Sequence, residues 1–328
     1  MTVRWGVLGA GAICERAMLR AFTVANDAEC VAIASRSADR AAALASSHGI
    51  ATVHPTYEAL LADDAIDAVY VGLHNAAHLP LTLAALAAGK HVLCEKPLAL
   101  SVAEVDEMTA AATAADRLLV EASWYRWHPR IKLAERLLHE LAFLGPVEYV
   151  FAGFTFPGVP EGNYRLDPAL GGGALYDIGC YVASAAVWAF GTEPREVTAK
   201  ADIGPTGVDL TTTLTVRFDG GSADLRASIA EDVRQFLVVT AERGDIEIQG
   251  SPFTAWEGEE TAVVVNDKYG QNRETLEPAH AYALMVENVS AVIEGREGWV
   301  VPLAESRATA AILDAAFESA AAGTPVAL

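Results

Sequence analysis

The sequence predicts an α/β protein whose N-terminal part forms a doubly wound parallel sheet. An apolar strand, residues 3–8, runs directly into a glycine turn, and a helix follows from about Ile13, as in dinucleotide-binding units. Strand and helix patterns then alternate over the first ~120 residues, which is typical of a parallel sheet. The C-terminal part instead contains alternating strands joined by hairpin turns, and this pattern indicates antiparallel pairing.

The other elements of the parallel sheet follow in order along residues 1–123, which we predict to be one domain. Short apolar runs predict the strands, whereas capping residues and a closing glycine delimit the helices. The later strands are expected at residues 29–35, 52–53, 66–73, 91–94 and 118–122. The helices between them are expected at 37–47, 57–61 and 78–88, with a further one opened by the capping box 101–104.

Residues 124–328 are predicted to form a second α/β domain. Its first helix should begin at Pro129, a favoured first helical residue, and another should run from the end of the Gly/Pro-rich loop 157–172 to about Phe190. Strands are expected at 147–156, 210–218, 222–230, 235–241 and 245–249, with hairpin turns at 219–221 and 243–245. Helices over 279–294 and 304–321 complete the chain.

Composition excludes several classes of function. The formal net charge of −20 argues against nucleic acid or an anionic membrane as a partner. No apolar run is long enough to span a membrane, and the four cysteines lie far apart without pairing or metal-binding spacing. We therefore expect a cytoplasmic protein in a reducing compartment. His74 and His78 are four residues apart, but no cysteine or carboxylate cluster joins them, so no metal site is expected.

The glycine turn is the first candidate site. Gly9 permits the turn, and Gly11 has no Cβ, so that the backbone can approach a pyrophosphate at the helix N-terminus, around Ala12 and Ile13. Cys14 replaces the third glycine of the dinucleotide fingerprint. Because that position requires a small residue for close helix–strand packing, cysteine should strain the motif without breaking it.

The end of the second strand indicates which dinucleotide binds. An acidic residue about 20 positions after the turn would hold the ribose of NAD, but this segment reads Ser35-Arg36-Ser37. Arg36 can bind a 2′-phosphate bidentately, and the two serines can donate hydroxyl groups, with Arg40 in the same candidate site. We therefore predict NADP rather than NAD. The alternative is a solvated Arg36 and a Ser37 that only caps the next helix.

Two further strand ends carry polar residues at the edge where ligands bind in such sheets. Leu73, His74, Asn75 and His78 follow the fourth strand, and Glu95 and Lys96 follow the fifth. Lys96 is one of five lysines in the chain, and it lies at the edge expected for the nicotinamide. We include all six residues in the candidate cofactor site.

Together with the segment 171–181, Gly-Gly-Gly-Ala-Leu-Tyr-Asp-Ile-Gly-Cys-Tyr, these motifs resemble the Gfo/Idh/MocA oxidoreductase family over essentially the whole chain. The resemblance implies an N-terminal Rossmann domain and a C-terminal domain with a large open, mainly antiparallel sheet. It also implies that residues 124–328 bind substrate and form a dimer through that sheet. An uncovered apolar face needs a partner, so we expect a homodimer or a dimer of dimers.

The same resemblance implies the catalytic residues. Lys96 is the catalytic lysine, and Glu95 and Pro97 shape its loop, in which the Lys-Pro peptide is commonly cis. Asp177 and Tyr181 supply the chemistry on the substrate side, and their spacing of four places them on one helix face. Many members carry histidine where Tyr181 stands, so this chain matches the tyrosine branch, which includes NADP-linked D-xylose dehydrogenases, dihydrodiol dehydrogenases and nucleotide-ketosugar reductases. The alternative is that both residues are structural. Asp177 is then a first-turn acid favoured by the helix dipole, and Tyr181 is a core aromatic residue.

Oxidation of a carbinol needs a hydride acceptor and a base for the hydroxyl proton. An unperturbed tyrosine, with a pKa of about 10, is a poor base at neutral pH, but the ammonium of Lys96 would favour the phenolate of Tyr181. Asp177 would orient substrate or Lys96. The remaining candidate substrate contacts are Arg126, His128, Tyr164 and Arg165. Arg126 and Arg165 are equally compatible with structural ion pairs.

The sequence therefore predicts an NADP-dependent oxidoreductase that acts on a sugar or a sugar-like cyclic diol, with an aldose 1-dehydrogenase of the D-xylose type as the narrower hypothesis. A trans-dihydrodiol dehydrogenase and a nucleotide-ketosugar reductase remain alternatives within the same class. A sensor or regulator that binds the cofactor without turnover remains open as well, although Lys96, Asp177 and Tyr181 are all present.

Overall fold

The computed structural model describes residues 2–256 and 258–328, and the chain divides into two compact units. The first unit comprises Met1–Ala99, Ala103–Trp124 and His280–Leu303, and the second comprises Leu100–Val102, Tyr125–Ala279 and Ala304–Leu328. The division therefore differs from a single boundary after residue 123. Leu100–Val102 belong to the second unit although the residues on either side belong to the first, and His280–Leu303 belong to the first unit although the residues on either side belong to the second.

The strands account for both sheets. In chain order they are β1 (Val3–Leu8), β2 (Ala28–Ala34), β3 (Thr52–His54), β4 (Ala68–Val71), β5 (His91–Cys94), β6 (Leu119–Glu121), β7 (Val147–Pro157), β8 (Pro194–Ile203), β9 (Asp209–Phe218), β10 (Gly221–Ser228), β11 (Ala230–Ala241), β12 (Gly244–Gln249), β13 (Thr261–Asp267), β14 (Gly270–Leu276) and β15 (Val326–Ala327).

The helices alternate with the first strands and then flank the second sheet. They are α1 (Leu19–Val24), α2 (Ala38–His48), α3 (Tyr57–Leu61), α4 (His78–Ala87), α5 (Val102–Ala115), α6 (Pro129–Glu135), α7 (Cys180–Phe190), α8 (Ala281–Ile293) and α9 (Leu303–Ala322). Three of them adjoin π-helical turns, at Cys14–Met18 before α1, Arg136–Glu140 after α6 and Leu175–Gly179 before α7.

The first unit contains the predicted doubly wound sheet. Its strand order is β3-β2-β1-β4-β5-β6, and neighbouring strands pair in parallel. The direction of winding reverses between β1 and β4, and ligands bind at such a switch point in open α/β sheets. The predicted fold class is therefore confirmed for this unit.

Helix α8 belongs to the first unit although it lies near the end of the chain. The indole of Trp5 on β1 donates a hydrogen bond to the Ser290 hydroxyl, at 3.1 Å. The ring of Trp124 also stacks on that of Tyr282, with centroids 4.6 Å apart. The predicted helix 279–294 is confirmed, and these contacts explain why it leaves the second unit.

The second unit contains a larger sheet in the order β14-β13-β12-β11-β7-β10-β9-β8-β15. Its pairs are antiparallel except for β7 with β10, so the mainly antiparallel sheet is confirmed. Four strands of this sheet, β8, β13, β14 and β15, were not predicted from the sequence. Residues of β14 are mostly exposed, so that strand has no buried face from which alternation could arise.

The helical segment that ends with α7 is long and apolar. The helical stretch Pro168–Phe190 has the length and mean hydropathy, 1.2, that a membrane-spanning helix requires, but 89% of that window is buried within the protein. Residues 180–189 are all buried, and α7 packs on β7 and β10. The apolar composition is therefore accounted for by packing against the sheet.

Candidate active site

The glycine turn after β1 is held against the end of β4. Gly9 has a φ of +125°, its N–H donates to the Ala34 carbonyl at 2.9 Å, and a Cβ at this position would lie 2.5 Å from the Gly72 oxygen. At Gly11 a Cβ would lie 3.8 Å from the same oxygen, which is ordinary contact. The protein itself does not require glycine at position 11, so the open backbone there suits the close approach of a ligand.

Cys14 fits against the end of β4 because the residue that faces it there is glycine. The residue is buried in the first π-helical turn, and its Sγ lies 3.6 Å from the Gly72 carbonyl oxygen. A Cβ on Gly72 would lie 2.7 Å from that sulfur and 2.6 Å from the Tyr70 ring. The space that the third fingerprint glycine normally leaves on the helix is therefore supplied here by Gly72, the residue directly after β4. Burial raises the pKa of Cys14 to about 12, so the thiol stays neutral.

The segment after β2 presents unpaired positive charge. Arg36 and Arg40 are exposed, and neither forms an ion pair within the part of the chain that the structure describes. Ser37 caps α2, because its hydroxyl accepts from the Arg40 N–H at 3.4 Å, and the Ser35 hydroxyl accepts from the Ser37 N–H at 3.2 Å. The predicted cap is confirmed, and the two guanidinium groups remain available to an anionic ligand.

The loop after β4 contains the candidates Leu73, His74, Asn75 and His78. Asn75 is buried at the start of a short 3₁₀ turn. His78 is fully buried, with Nδ1 2.8 Å from the Pro97 carbonyl and Nε2 3.2 Å from the Leu73 carbonyl. Burial lowers the pKa of His78 to about 4. Both ring nitrogens therefore lie within hydrogen-bond distance of backbone oxygens, so His78 connects two loops.

The Lys96 loop is fixed by two buried carboxylates. Glu95 accepts from the Tyr70 hydroxyl at 2.6 Å and from the Lys96 N–H at 3.3 Å. Burial raises the pKa of Glu95, although the ammonium of Lys96 opposes the shift. Beyond the cis peptide between Lys96 and Pro97, which matches the family pattern, the Leu98 N–H donates to Glu121 at 3.0 Å. The half-buried Lys96 thus extends from a loop that is held on both sides.

Two residues that hold the Lys96 loop, Tyr70 and Glu121, were not predicted from the sequence. Tyr70 lies within the apolar run of β4 and gives no sequence signal of its own. Glu121 is 3% exposed at the carboxyl end of β6, and a carboxylate at that edge was the available signal. Each forms a hydrogen bond with the Lys96 loop.

In the second unit, Asp177 and Tyr181 lie on consecutive turns of one helical segment. Asp177 belongs to the π-helical turn Leu175–Gly179, and Tyr181 is the second residue of α7. A single π turn within a helix is common at functional sites. The preceding glycines adopt conformations that need glycine, since Gly171 and Gly173 have φ values of +73° and +114°.

Arg165 forms an ion pair with Asp177. The Nε of Arg165 donates to Oδ2 of Asp177 at 2.6 Å, and the carboxylate is 4% exposed. The guanidinium carbon also lies 4.8 Å from the centre of the Tyr164 ring. Burial would lower the pKa of Arg165, but Asp177 outweighs it, so the pKa is raised. Of the two interpretations of Arg165, the ion pair is present, and its partner is a predicted catalytic residue.

The Tyr181 ring lies in an aromatic cluster. Its centroid is 5.7–5.9 Å from those of Tyr125, Phe154 and Phe253, and the residue is 6% exposed. Aromatic neighbours at these distances hold the ring in one orientation. Removal of the hydroxyl alone should therefore leave the packing in place.

Arg126 and His128 have structural partners. Arg126 is fully buried and forms ion pairs with Glu305 and Glu135. His128 is 1% exposed and caps α6, since its Nδ1 accepts from the Arg130 N–H at 3.3 Å, and burial lowers its pKa to about 4. The ion pairs favour the structural interpretation of Arg126, and α6 begins at Pro129 as predicted.

A parallel sheet with a glycine turn on its first strand and a lysine loop at its carboxyl edge defines the class of dinucleotide-binding oxidoreductases. Comparison with known families agrees. Residues 3–123 match the GFO_IDH_MocA oxidoreductase family with its NAD-binding Rossmann fold, and residues 134–250 match the GFO/IDH/MocA C-terminal domain. The chain belongs to the Gfo/Idh/MocA oxidoreductase family.

Three similar proteins indicate the range of activities around this chain. D-xylose 1-dehydrogenase (NADP(+)) 2 from Haloferax volcanii is 35% identical over 99% of both chains. Trans-1,2-dihydrobenzene-1,2-diol dehydrogenase from Xenopus laevis is 33% identical over 97% of this chain and 98% of its own. Among solved structures, a 3-ketoreductase from Actinomadura kijaniata in complex with NADP and TDP-benzene has a TM-score of 0.89 at 27% identity, over 97% of this chain and 98% of its own.

Proposed function

We propose that this protein is an NADP-dependent oxidoreductase that transfers a hydride between the nicotinamide and a carbinol or carbonyl group of a sugar, with an aldose of the D-xylose type as the substrate. The observation that carries the proposal is the 35% identity with an NADP-linked D-xylose dehydrogenase over 99% of both chains. The four cysteines are free, which supports a cytoplasmic enzyme because disulfides are rare in that reducing compartment.

The residues of the first unit fit NADP. Gly9 and Gly11 leave the backbone open at the start of a helix, where N–H groups bind phosphate, and Arg36 and Arg40 supply charge for the 2′-phosphate. Bound NADP⁺ supplies the hydride acceptor. The proposed tasks of this chain are to bind the two phosphate regions and to hold the Lys96 loop through Glu95, Glu121 and His78.

We assign the proton transfer to Tyr181. As the hydride leaves the carbinol carbon, the hydroxyl proton passes to the Tyr181 phenolate and the C–O bond becomes a carbonyl. Lys96 supplies an ammonium that favours the phenolate and the developing negative charge on the substrate oxygen. Asp177, paired with Arg165, orients substrate hydroxyl groups. Leu73, His74, Asn75 and Tyr164 complete the proposed ligand contacts.

Two alternative substrates each have an observation in their favour. A cyclic trans-diol is favoured by the 33% identity with the Xenopus dehydrogenase, and a nucleotide-linked ketosugar by the structural match to the 3-ketoreductase. Steady-state assays with aldoses, cyclic diols and nucleotide ketosugars, run with NADP⁺ or NADPH, separate these possibilities. Tight cofactor binding without turnover of any of the three classes would instead indicate a sensor.

Replacement of Tyr181 by phenylalanine tests the proton transfer. The ring and its three aromatic neighbours remain, so the free energy of unfolding should hardly change, whereas kcat should fall by about 10²–10⁴. The affinity for NADPH should stay the same. Tyr125→Phe is the matched control, because it removes a buried hydroxyl from the same cluster, one that lies 3.1 Å from the Ser184 hydroxyl. Retention of most activity and of the pH profile in Tyr181→Phe would show that another group is the base.

We also propose that two copies associate through the exposed face of the large sheet. Phe151 on β7 is 46% exposed, and its ring packs on Phe236 of β11 with centroids 4.6 Å apart. Gly153, next on the same face, gives room to the Phe236 ring. Exposed aromatic surface of this kind is typical of association sites, so a homodimer or a dimer of dimers is expected.

A further inference from the structure

Asp209, the first residue of β9, is a buried carboxylate to which neither the cofactor nor the substrate proposal assigns a role. It is 1% exposed. Its Oδ2 accepts from the Leu175 N–H at 2.8 Å and from the Thr212 hydroxyl at 2.7 Å. Burial raises the pKa of Asp209, and the hydrogen bonds only partly offset the shift. A carboxylate is costly to bury. The location of Asp209 beside the first N–H of the helical segment that begins at Leu175 therefore needs a physical reason.

The carboxylate lies directly against the glycine segment that precedes α7. A Cβ on Gly173 would collide with Oδ1 of Asp209, and a Cβ on Gly172 would lie 2.6 Å from the Arg165 carbonyl oxygen. The Gly173 N–H donates to that same oxygen at 2.9 Å, and the Asp177 N–H donates to the Gly173 carbonyl at 3.1 Å. The backbone that Asp209 touches therefore also carries the Arg165–Asp177 pair.

The start of a helical segment fixes the direction of every side chain that follows. Its first N–H groups have no partner within the helix, and a negative charge beside them is stabilised by the helix dipole. Each residue added to or removed from the first turn rotates the later side chains by about 100°. A firm anchor at Leu175 therefore sets where Asp177 and Tyr181 point.

We propose that Asp209 is a positioning residue that anchors the N-terminus of the segment carrying Asp177 and Tyr181, and thereby sets the geometry of proton transfer. This inference rests on the proposed function, since it takes those two residues as catalytic. It also explains why residue 173 is glycine, because the Asp209 carboxylate occupies the space that a Cβ would need.

Two variants test the anchor, and a third is the control. Asp209→Asn removes the charge, while Thr212→Val removes only a donor to the carboxylate and keeps the side-chain shape. Thr211→Val is matched to the latter, because Thr211 is the adjacent buried residue of β9 and its hydroxyl lies 2.6 Å from the Ser228 hydroxyl instead. Since a small misplacement of reacting groups can cost about 100-fold in rate, we expect kcat to fall by about 10- to 100-fold in Asp209→Asn. A smaller fall is expected in Thr212→Val and none in Thr211→Val, with the Kd for NADPH unchanged in all three.

An activity-independent readout separates this inference from the proposed function. At a temperature where every variant is folded, backbone amides of residues 174–181 should exchange hydrogen faster in Asp209→Asn and Thr212→Val than in the parent or in Thr211→Val. If the parent turns over no sugar, diol or ketosugar, the proposed function fails, and the exchange rates still decide whether Asp209 is the anchor. Unchanged exchange in both variants overturns the inference. A loss of kcat that follows a general loss of stability, with weaker NADPH binding, overturns it as well.

Discussion

Replacement of Arg36 by alanine tests the choice of cofactor. The Arg36 side chain is exposed and forms no ion pair among the residues that the structure describes, so its removal should leave the free energy of unfolding unchanged. Ser37 is less suitable for this purpose, because it caps α2 and its loss would also destabilise the helix.

The expected effect follows from the bonds that a guanidinium can make with a 2′-phosphate. A charge-assisted hydrogen bond contributes about 1.5–3 kcal/mol, and solvent around an exposed group keeps a bidentate contact near the lower end of that range. A loss of about 1.5–2 kcal/mol raises the Kd for NADPH by about 10- to 30-fold. NADH has no 2′-phosphate, so its Kd should not change.

Fluorescence titration of NADPH and NADH against the parent and Arg36→Ala measures both constants. Arg195→Ala is the control for charge alone, because it removes another exposed arginine, one that pairs with Asp219 in the second unit. The NADPH affinity of the parent should also weaken with added salt, since the contact is ionic. Equal affinities for the two cofactors in the parent, or an equal loss of both in Arg36→Ala, would refute the assignment of Arg36 to the 2′-phosphate.

Two further predictions concern stability and assembly. The folded pKa of His78 is about 4 and its unfolded value is about 6.5, so unfolding takes up a proton between these values. Its stabilising contribution, about 3 kcal/mol, is complete above pH 6.5 and is lost as the pH falls to 4. Urea unfolding at several pH values gives the free energy of unfolding as a function of pH. This free energy should rise with pH less steeply in His78→Asn than in the parent, by about 1.4 kcal/mol per pH unit. An unchanged dependence on pH would contradict the burial argument. Phe151→Asp should yield monomers by light scattering, whereas Val24→Asp, at a 56% exposed position of α1, should not. A monomeric parent would exclude the dimer.

Much of the cofactor half could be predicted because its signals are local. The apolar run before Gly9 predicts the buried strand β1, and Ser37 caps the helix α2 that follows the second strand. In the second unit, Pro129 begins α6 by the same kind of local signal. Each of these features depends on backbone conformation and on neighbours within a few residues. The alternation of strands and helices was then enough to predict the parallel sheet.

Strands whose sequences do not alternate between apolar and polar residues form because they pair with a neighbouring strand. β13 begins with four buried residues and ends with three that are half-buried, so its sequence does not alternate. β14 is mostly exposed and pairs only with β13. Such segments become strands because a neighbouring strand offers unpaired N–H and C=O groups, and that neighbour is known only once the chain has folded.

The sequence by itself determined the glycine turn, the basic residues after the second strand and the family motifs, whereas only the tertiary structure decided what each polar side chain faces. Arg126 meets Glu305, a residue 179 positions away, His78 is enclosed between two loop carbonyls, and Asp209 reaches back 34 positions to Leu175. The residue type gives the chemistry that a side chain can perform. Whether it binds a ligand or stabilises the fold depends on which distant groups share its low-dielectric surroundings, and only the folded chain brings those groups together.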